Sequence, residues 1–136
     1  MKSCTDIPQS KKLAEILPIE SADLWYAEVY EGNTDGWNFS VSDTPYYSLS
    51  LVKPSENNYS QNVIKDIPCW SLSALLNVIQ NEFENNEGYY LTLMNDGEWF
   101  CSYRNIDGDY NKQVIAKNPI DACVKMIELL YKENLI

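Results

Sequence analysis

Apolar residues recur at helical spacing in three stretches of the chain, 8–17, 71–83 and 118–132. In each stretch they follow the i, i+3, i+4 pattern that places side chains on one face of a helix. The three faces consist of Leu13, Ile16 and Leu17; of Leu72, Leu75, Leu76, Ile79 and Phe83; and of Ile120, Cys123, Ile127, Leu130 and Tyr131. The pattern therefore predicts three helices, of which the last two are the longer.

Residues suited to helix ends support these assignments. Asp6 or Ser10 can cap the first helix, which Pro18 ends, and Ser71 can cap the second. Segment 118–121 combines an asparagine N-cap, a proline at the first helical position and an aspartate in the first turn. These residues predict where each helix begins.

Alternation of apolar and polar residues predicts strands elsewhere. The segments are 24–30, 37–42, 45–52, 89–94, 98–104 and 110–115. In 45–52 the apolar face is formed by Tyr47, Leu49 and Leu51, and Asp96-Gly97 is typical of a hairpin turn between two of the later strands. The predicted fold class is α+β, with one antiparallel sheet of about five or six strands packed against three helices.

Segment 53–67 is polar and contains prolines and asparagines, so it predicts a long connection rather than a strand. Such a connection is either an ordinary surface crossover or a functional loop. Segments 8–52 and 68–115 also share the order helix, strand, Asp-Gly turn and aromatic strand, with a further helix at 118–132. Chance explains this weak repeat equally well, because a helix followed by a hairpin is a common unit. The 136 residues fit a single domain spanning 1–136.

The charge balance limits the classes of partner. Twenty acidic residues outnumber ten basic residues, there is no histidine, and the formal net charge is −10. Lys11 and Lys12 are the only adjacent basic pair, so we expect no direct nucleic-acid partner and no binding to anionic membranes. We find no stretch suited to a signal-peptide core or a membrane span, and therefore expect a cytoplasmic protein.

The side chains of common catalytic and metal sites are sparse. Cys4, Cys69, Cys101 and Cys123 are scattered without a C-x-x-C pair, which favours free thiols and argues against a zinc site. Cys69 precedes a helix N-terminus but has no histidine base, so we interpret it as an inert thiol. Segment 105–109 resembles a calcium loop but lacks the bidentate glutamate, which favours a hairpin turn. We expect no catalytic residues, no metal and no cofactor, although an enzyme that uses carboxylates stays an open alternative.

Aromatic residues on the predicted strands suggest a binding surface. Alternation places only one face of each strand in a core, so Tyr26 and Tyr30 must face solvent, a helix or another chain. With Tyr46 and Tyr90 they form our candidate interaction surface for a protein partner, which is also compatible with a homo-oligomer. The alternative is that these rings pack within the sheet.

Acidic residues suggest a second hypothesis. Glu82, Glu84 and Glu87, with Glu128 and Glu133 on the last predicted helix, could belong to a surface that imitates nucleic-acid phosphates. Such a protein would be an acidic DNA mimic that inhibits a nucleic-acid-binding host protein. Ordinary solvated helix faces have a similar composition.

Three segments carry a resemblance to other proteins. They are 12–23, segment 67–76 with the sequence W-S-L-S-A-L-L, and segment 118–127 with the pattern N-P-x-D-A-C-V-x-M-I. Together they resemble small uncharacterised proteins encoded by bacterial prophages and mobile elements. The resemblance implies a phage or mobile-element accessory protein of no known activity, so it supplies no catalytic residue to carry over.

Overall fold

The computed structural model describes residues 2–29, 46–51, 53, 63–83, 89–105 and 110–134. Its helices are α1 (Ile7–Ala14), α2 (Leu72–Phe83) and α3 (Pro119–Lys132), and a short 3-10 turn spans Ile19–Ser21. Its strands are β1 (Leu24–Val29), β2 (Tyr46–Ser50), β3 (Val63–Cys69), β4 (Tyr89–Asp96), β5 (Glu98–Asn105) and β6 (Tyr110–Ala116). The predicted strand 37–42 lies outside the described residues.

Local sequence explains where the helices begin. Asp6 rather than Ser10 caps α1, because its carboxylate accepts a hydrogen bond from the backbone N–H of Gln9 at 2.9 Å. The Gln9 side chain accepts in return from the N–H of Asp6, which completes a capping box. Ser71 Oγ accepts from the N–H of Ala74, and Asn118 caps α3. The predicted caps at Ser71 and Asn118 are confirmed.

The strands form two separate antiparallel sheets, in the orders β2-β1-β3 and β4-β5-β6. The α+β class and the three helices agree with the prediction, and five of the six predicted strands are found among the described residues, but the single sheet of five or six strands is wrong. Alternation shows that a segment is a strand, whereas the choice of partner depends on contacts far apart in sequence. We name the two sheets the N-terminal sheet and the C-terminal sheet.

The end of the predicted 53–67 connection is also a strand. Residues 63–69 form β3, which pairs with β1 so that Pro68 lies opposite Trp25. A proline is tolerated at a sheet edge because its missing N–H need not join a ladder. Ile67 and Cys69 are buried on one side of β3. The prediction of a connection throughout 53–67 was therefore wrong at its C-terminal end.

The main core lies between the three helices and one face of the C-terminal sheet. It includes Leu13, Trp70, Leu75, Ile79, Cys101, Tyr103, Ile120, Cys123, Met126, Ile127 and Leu130. Trp70 joins β3 to α2 and is fully buried, and its indole N–H donates to Ser21 Oγ at 2.9 Å. Because α1 also packs against β3, this core is continuous with the N-terminal sheet.

Candidate interaction surface

The side of the C-terminal sheet that faces away from the helices carries several apolar side chains. Residues at alternate positions, among them Leu91, Leu93, Trp99, Val114 and Ala116, belong to the core or pack against it. Because side chains alternate along a strand, their neighbours lie on the opposite side of the sheet. This surface, which we call the outer face, consists of Tyr90, Thr92, Met94, Phe100, Ser102, Arg104, Gln113 and Ile115.

Three apolar side chains form a row across the outer face. The strand register places Met94 opposite Phe100 and Phe100 opposite Ile115. Met94 is 46% exposed and Ile115 is 43% exposed, while Phe100 on the central strand is partly buried. Since neighbouring strands are about 4.8 Å apart, the row spans roughly 10 Å. It is an apolar strip presented to solvent.

Charged residues lie beside this row. Asp96 and Glu98 are exposed on either side of Gly97, which adopts a φ of 79° at the hairpin turn. They continue the alternation of the outer face beyond Met94 and Phe100, and exposed Lys117 follows β6 at the same end. The apolar row is therefore bordered at the turn by two carboxylates and one amine.

The structure separates the tyrosines that the sequence analysis brought together. Tyr90 is 43% exposed and belongs to the outer face. Tyr26 lies in the other sheet, where it is partly buried and its hydroxyl donates to the carbonyl of Thr5 at 2.8 Å. Tyr46 is described by its backbone only, and Tyr30 lies outside the described residues. Tyr26 and Tyr90 are thus parts of different sheets.

A second set of exposed apolar side chains follows β2. Tyr47, Leu49 and Leu51 are between 37% and 79% exposed, although their alternation predicts a buried face. Leu49 lies opposite Tyr26, and Tyr47 donates a hydrogen bond to Glu28 at 3.3 Å. No signal in the sequence distinguishes this exposed alternation from a buried one.

The acidic residues of the last predicted helix have basic partners. Glu128 lies 3.2 Å from Lys12, and Glu133 forms an ion pair with Lys112. Glu84 and Glu87 are outside the described residues, and Glu82 is described by its backbone only. The two described side chains of the proposed phosphate-mimic surface are therefore partly neutralised by lysines.

A groove of about 510 Å³ between α3 and β6 is lined by three carboxylates, those of Glu98, Asp121 and Glu128. Burial alone would raise the pKa of Asp121, but hydrogen bonds from Gln9, Lys2 and Asn118 hold that pKa below its ordinary value. A general acid at neutral pH needs the opposite shift. Asp121 is arranged as a structural acceptor rather than as a proton donor.

The four cysteines are buried free thiols. Contact with Cys123, together with burial, raises the pKa of Cys101, and burial raises the pKa of Cys69 to about 11. Burial also raises the pKa of the Tyr26 phenol, which lies beside Cys4 and Cys69. The four cysteines are far apart in sequence. In the fold they lie as two pairs, Cys4 with Cys69 and Cys101 with Cys123.

Two absences hold for the part of the chain that the structure describes. No group of three or more cysteine, histidine, aspartate or glutamate side chains is arranged to hold a metal ion there. No helix within the same residues is both long enough and apolar enough to cross a bilayer. In comparisons with known proteins, no family model, no curated protein and no solved structure matches the chain.

Proposed function

We propose that this chain is a non-enzymatic accessory protein, of the phage or mobile-element type, that acts by binding another protein. The observation that supports this proposal best is the row formed by Met94, Phe100 and Ile115 on the outer face. The opposite side of the same sheet is already covered by the helices. A partner docked on the row would cover apolar surface that is otherwise in contact with water.

Covering the row with a partner would stabilise the complex. Covering the exposed remainder of each of its three side chains would contribute roughly 1 kcal/mol apiece. Interfaces commonly combine an apolar centre with a polar rim, and the outer face has both. Tyr90, with its ring and hydroxyl, extends the surface at the end away from the hairpin turn.

Charge indicates the chemistry of the partner. With a net charge of −10, the chain attracts surfaces rich in lysine and arginine and repels acidic ones. Asp96 and Glu98 lie at the rim of the outer face, where their charges remain solvated. The partner that fits is a protein with an apolar centre and basic residues around it.

The absence of a catalytic role is also part of the proposal. Asp121 lines the groove beside α3, but its pKa is lowered rather than raised. The described cysteines are buried, and no imidazole is present in the sequence. These features favour binding over acid-base catalysis and over catalysis by a histidine-activated cysteine.

Crosslinking in the native cell tests the proposal. A photo-crosslinking amino acid replaces Tyr90, and the covalent adduct is identified with and without Ile115→Glu. We expect an adduct with a basic protein, and at least a tenfold loss of its yield in Ile115→Glu, because a buried unpaired carboxylate would oppose docking. The matched control is Leu49→Glu, which places the same charge on an exposed leucine of the other sheet.

The outcome distinguishes the proposal from its alternatives. Equal adduct yield in Ile115→Glu and the unsubstituted protein would contradict the outer face as the docking site. Displacement of the partner by duplex DNA would favour the DNA-mimic alternative, and an adduct between two copies of this chain would indicate a homo-oligomer. Turnover of a small molecule by the purified protein would contradict the non-enzymatic proposal.

A further inference from the structure

Two cysteines far apart in sequence meet where the segment before α1 crosses the end of β3. Cys4 forms an isolated antiparallel bridge with Ser71, and the N–H of Thr5 donates to the carbonyl of Trp70 at 2.9 Å. The Cys69 thiol donates to the carbonyl of Thr5 at 3.5 Å and interacts with the Cys4 thiol. Both thiols therefore lie beside the Thr5 backbone, at a junction between separate segments.

A small polar cluster surrounds this thiol pair. The Tyr26 hydroxyl lies 3.5 Å from Cys4 Sγ and donates to the same Thr5 carbonyl that accepts from Cys69. Thr5 Oγ1 lies 2.8 Å from Ser10 Oγ and contacts Cys69 Sγ at 3.5 Å. These hydrogen bonds hold the thiols in place through the backbone of the N-terminal segment.

The two thiol pairs differ in their access to solvent. Cys101 on β5 and Cys123 on α3 both have no exposed surface and lie in the main core. Cys4 is 8% exposed and precedes the first helix. A reagent can reach Cys4 after residues 2–5 lift away, whereas reaching Cys101 requires separation of α3 from the C-terminal sheet.

We propose that Cys4 and Cys69 form a redox-active dithiol site that reacts with small disulfides of the glutathione type. The product is a disulfide that fastens the N-terminal segment to β3. This inference is independent of the docking surface proposed above. Cys4 precedes α1 and Cys69 belongs to the N-terminal sheet, whereas the outer face belongs to the C-terminal sheet.

The reaction proceeds by two thiol-disulfide exchanges. The Cys4 thiolate, having released its proton to water, attacks the small disulfide, so that a mixed disulfide forms and one small thiolate leaves and takes up a proton. The Cys69 sulfur then loses its proton and displaces the second small thiol from Cys4. Overall, the two cysteines lose two electrons and two protons, and the small disulfide is reduced to two thiols.

The order of attack follows from burial. Cys69 has no exposed surface, and burial raises its pKa to about 11, so it is a poor first nucleophile. Once Cys4 carries the mixed disulfide, the return of residues 2–5 to β3 brings Cys4 back beside Cys69, and the second exchange is intramolecular. Cys4 is therefore the attacking thiol and Cys69 the resolving thiol.

Incubation of the folded protein with glutathione disulfide tests this assignment. We expect the intact mass to fall by two hydrogen atoms, and proteolytic mapping to show Cys4 joined to Cys69. Alkylation after unfolding should find Cys101 and Cys123 still reduced. The oxidised protein should melt roughly 10 °C higher, because the bond closes a long loop.

Substitutions identify the sulfur atoms that react. Cys4→Ala should abolish the mass loss, while Cys101→Ala should leave it unchanged. If Cys101→Ala does not fold, the alkylation pattern of the unsubstituted protein makes the same distinction. The proposal is overturned if all four thiols stay free, if a mixed disulfide persists without closure, or if Cys101 and Cys123 oxidise first.

Discussion

Hydrogen bonds to the Asp121 carboxylate connect the N-terminal segment with the start of α3. The carboxylate accepts hydrogen bonds from Lys2 at 2.9 Å, from Gln9 at 2.7 Å and from Asn118 at 2.8 Å. Lys2 is also paired with Asp6, the cap of α1. One carboxylate therefore contacts donors from three parts of the chain.

Replacing this carboxylate by an amide tests its contribution to stability. Asp121→Asn should lower the free energy of unfolding near pH 7 by about 1 kcal/mol, allowing for partial solvent screening of the ion pair. The folded-state pKa of Asp121 lies below its ordinary value of 3.8, so its contribution is present above that value and lost as the pH falls through the folded-state pKa. Urea unfolding between pH 7 and pH 2 measures the difference.

The control for this prediction is Asp96→Asn, which removes one carboxylate from the exposed β4–β5 turn. It makes the same change in net charge without disturbing Asp121. We expect the stability gap between Asp121→Asn and the unsubstituted protein to close at low pH. A gap that stays constant down to pH 2 would show that the loss comes from packing rather than from ionisation.

At the scale of single residues, the sequence identifies groups that act on near neighbours. Asn118 and Asp121 are recognisable as a cap and a first-turn acid because they are three positions apart. The partners Lys2 and Gln9 are 119 and 112 positions away from Asp121, and no local pattern connects them. The pairing of Cys4 with Cys69 escaped prediction for the same reason.

At the scale of elements, α3 begins with a start signal that can be read from the sequence. Asn118 accepts from the N–H of Asp121 and donates to its side chain, and Pro119 occupies the first turn. Asn118→Ala removes both hydrogen bonds and should lower the free energy of unfolding by about 1 to 2 kcal/mol. Thermal or urea unfolding, followed by circular dichroism at a helical wavelength, measures the loss.

Asn77→Ala is the matched substitution for this experiment, because Asn77 is exposed in the middle of α2. Alanine has the higher helix propensity, so this variant should be neutral or slightly more stable. Equal losses in the two variants would show that the N-cap of α3 contributes no more than an ordinary helix position.

Strands were less predictable than helices. Gly97 and the alternation around it specify the β4–β5 hairpin locally, and that hairpin forms. In β3, Asp66 and Pro68 make the strand difficult to predict from the sequence, since neither residue is typical of a sheet interior. The division into two sheets follows from β1 taking both β2 and β3 as neighbours, and alternation alone does not select those neighbours.

At the scale of the whole molecule, Trp70 lies where the two sheets are joined. Its backbone N–H donates to Thr5 Oγ1, its carbonyl accepts from the N–H of Thr5, and its ring lies in the helical core. The contacts of α1 with β3 reinforce the same junction. Because these contacts are buried and shared, the two sheets should not unfold independently.

We therefore predict one cooperative unfolding transition for the entire chain. Hydrogen exchange read at backbone amides of β1 and of β5 should give similar opening free energies, and calorimetry should show a single peak. Trp70→Phe removes the bond to Ser21 and leaves a cavity, so it should lower both opening free energies together by about 1 to 3 kcal/mol. If β1 loses protection while β5 keeps it, the sheets are separate folding units, and the single domain inferred from chain length would be wrong.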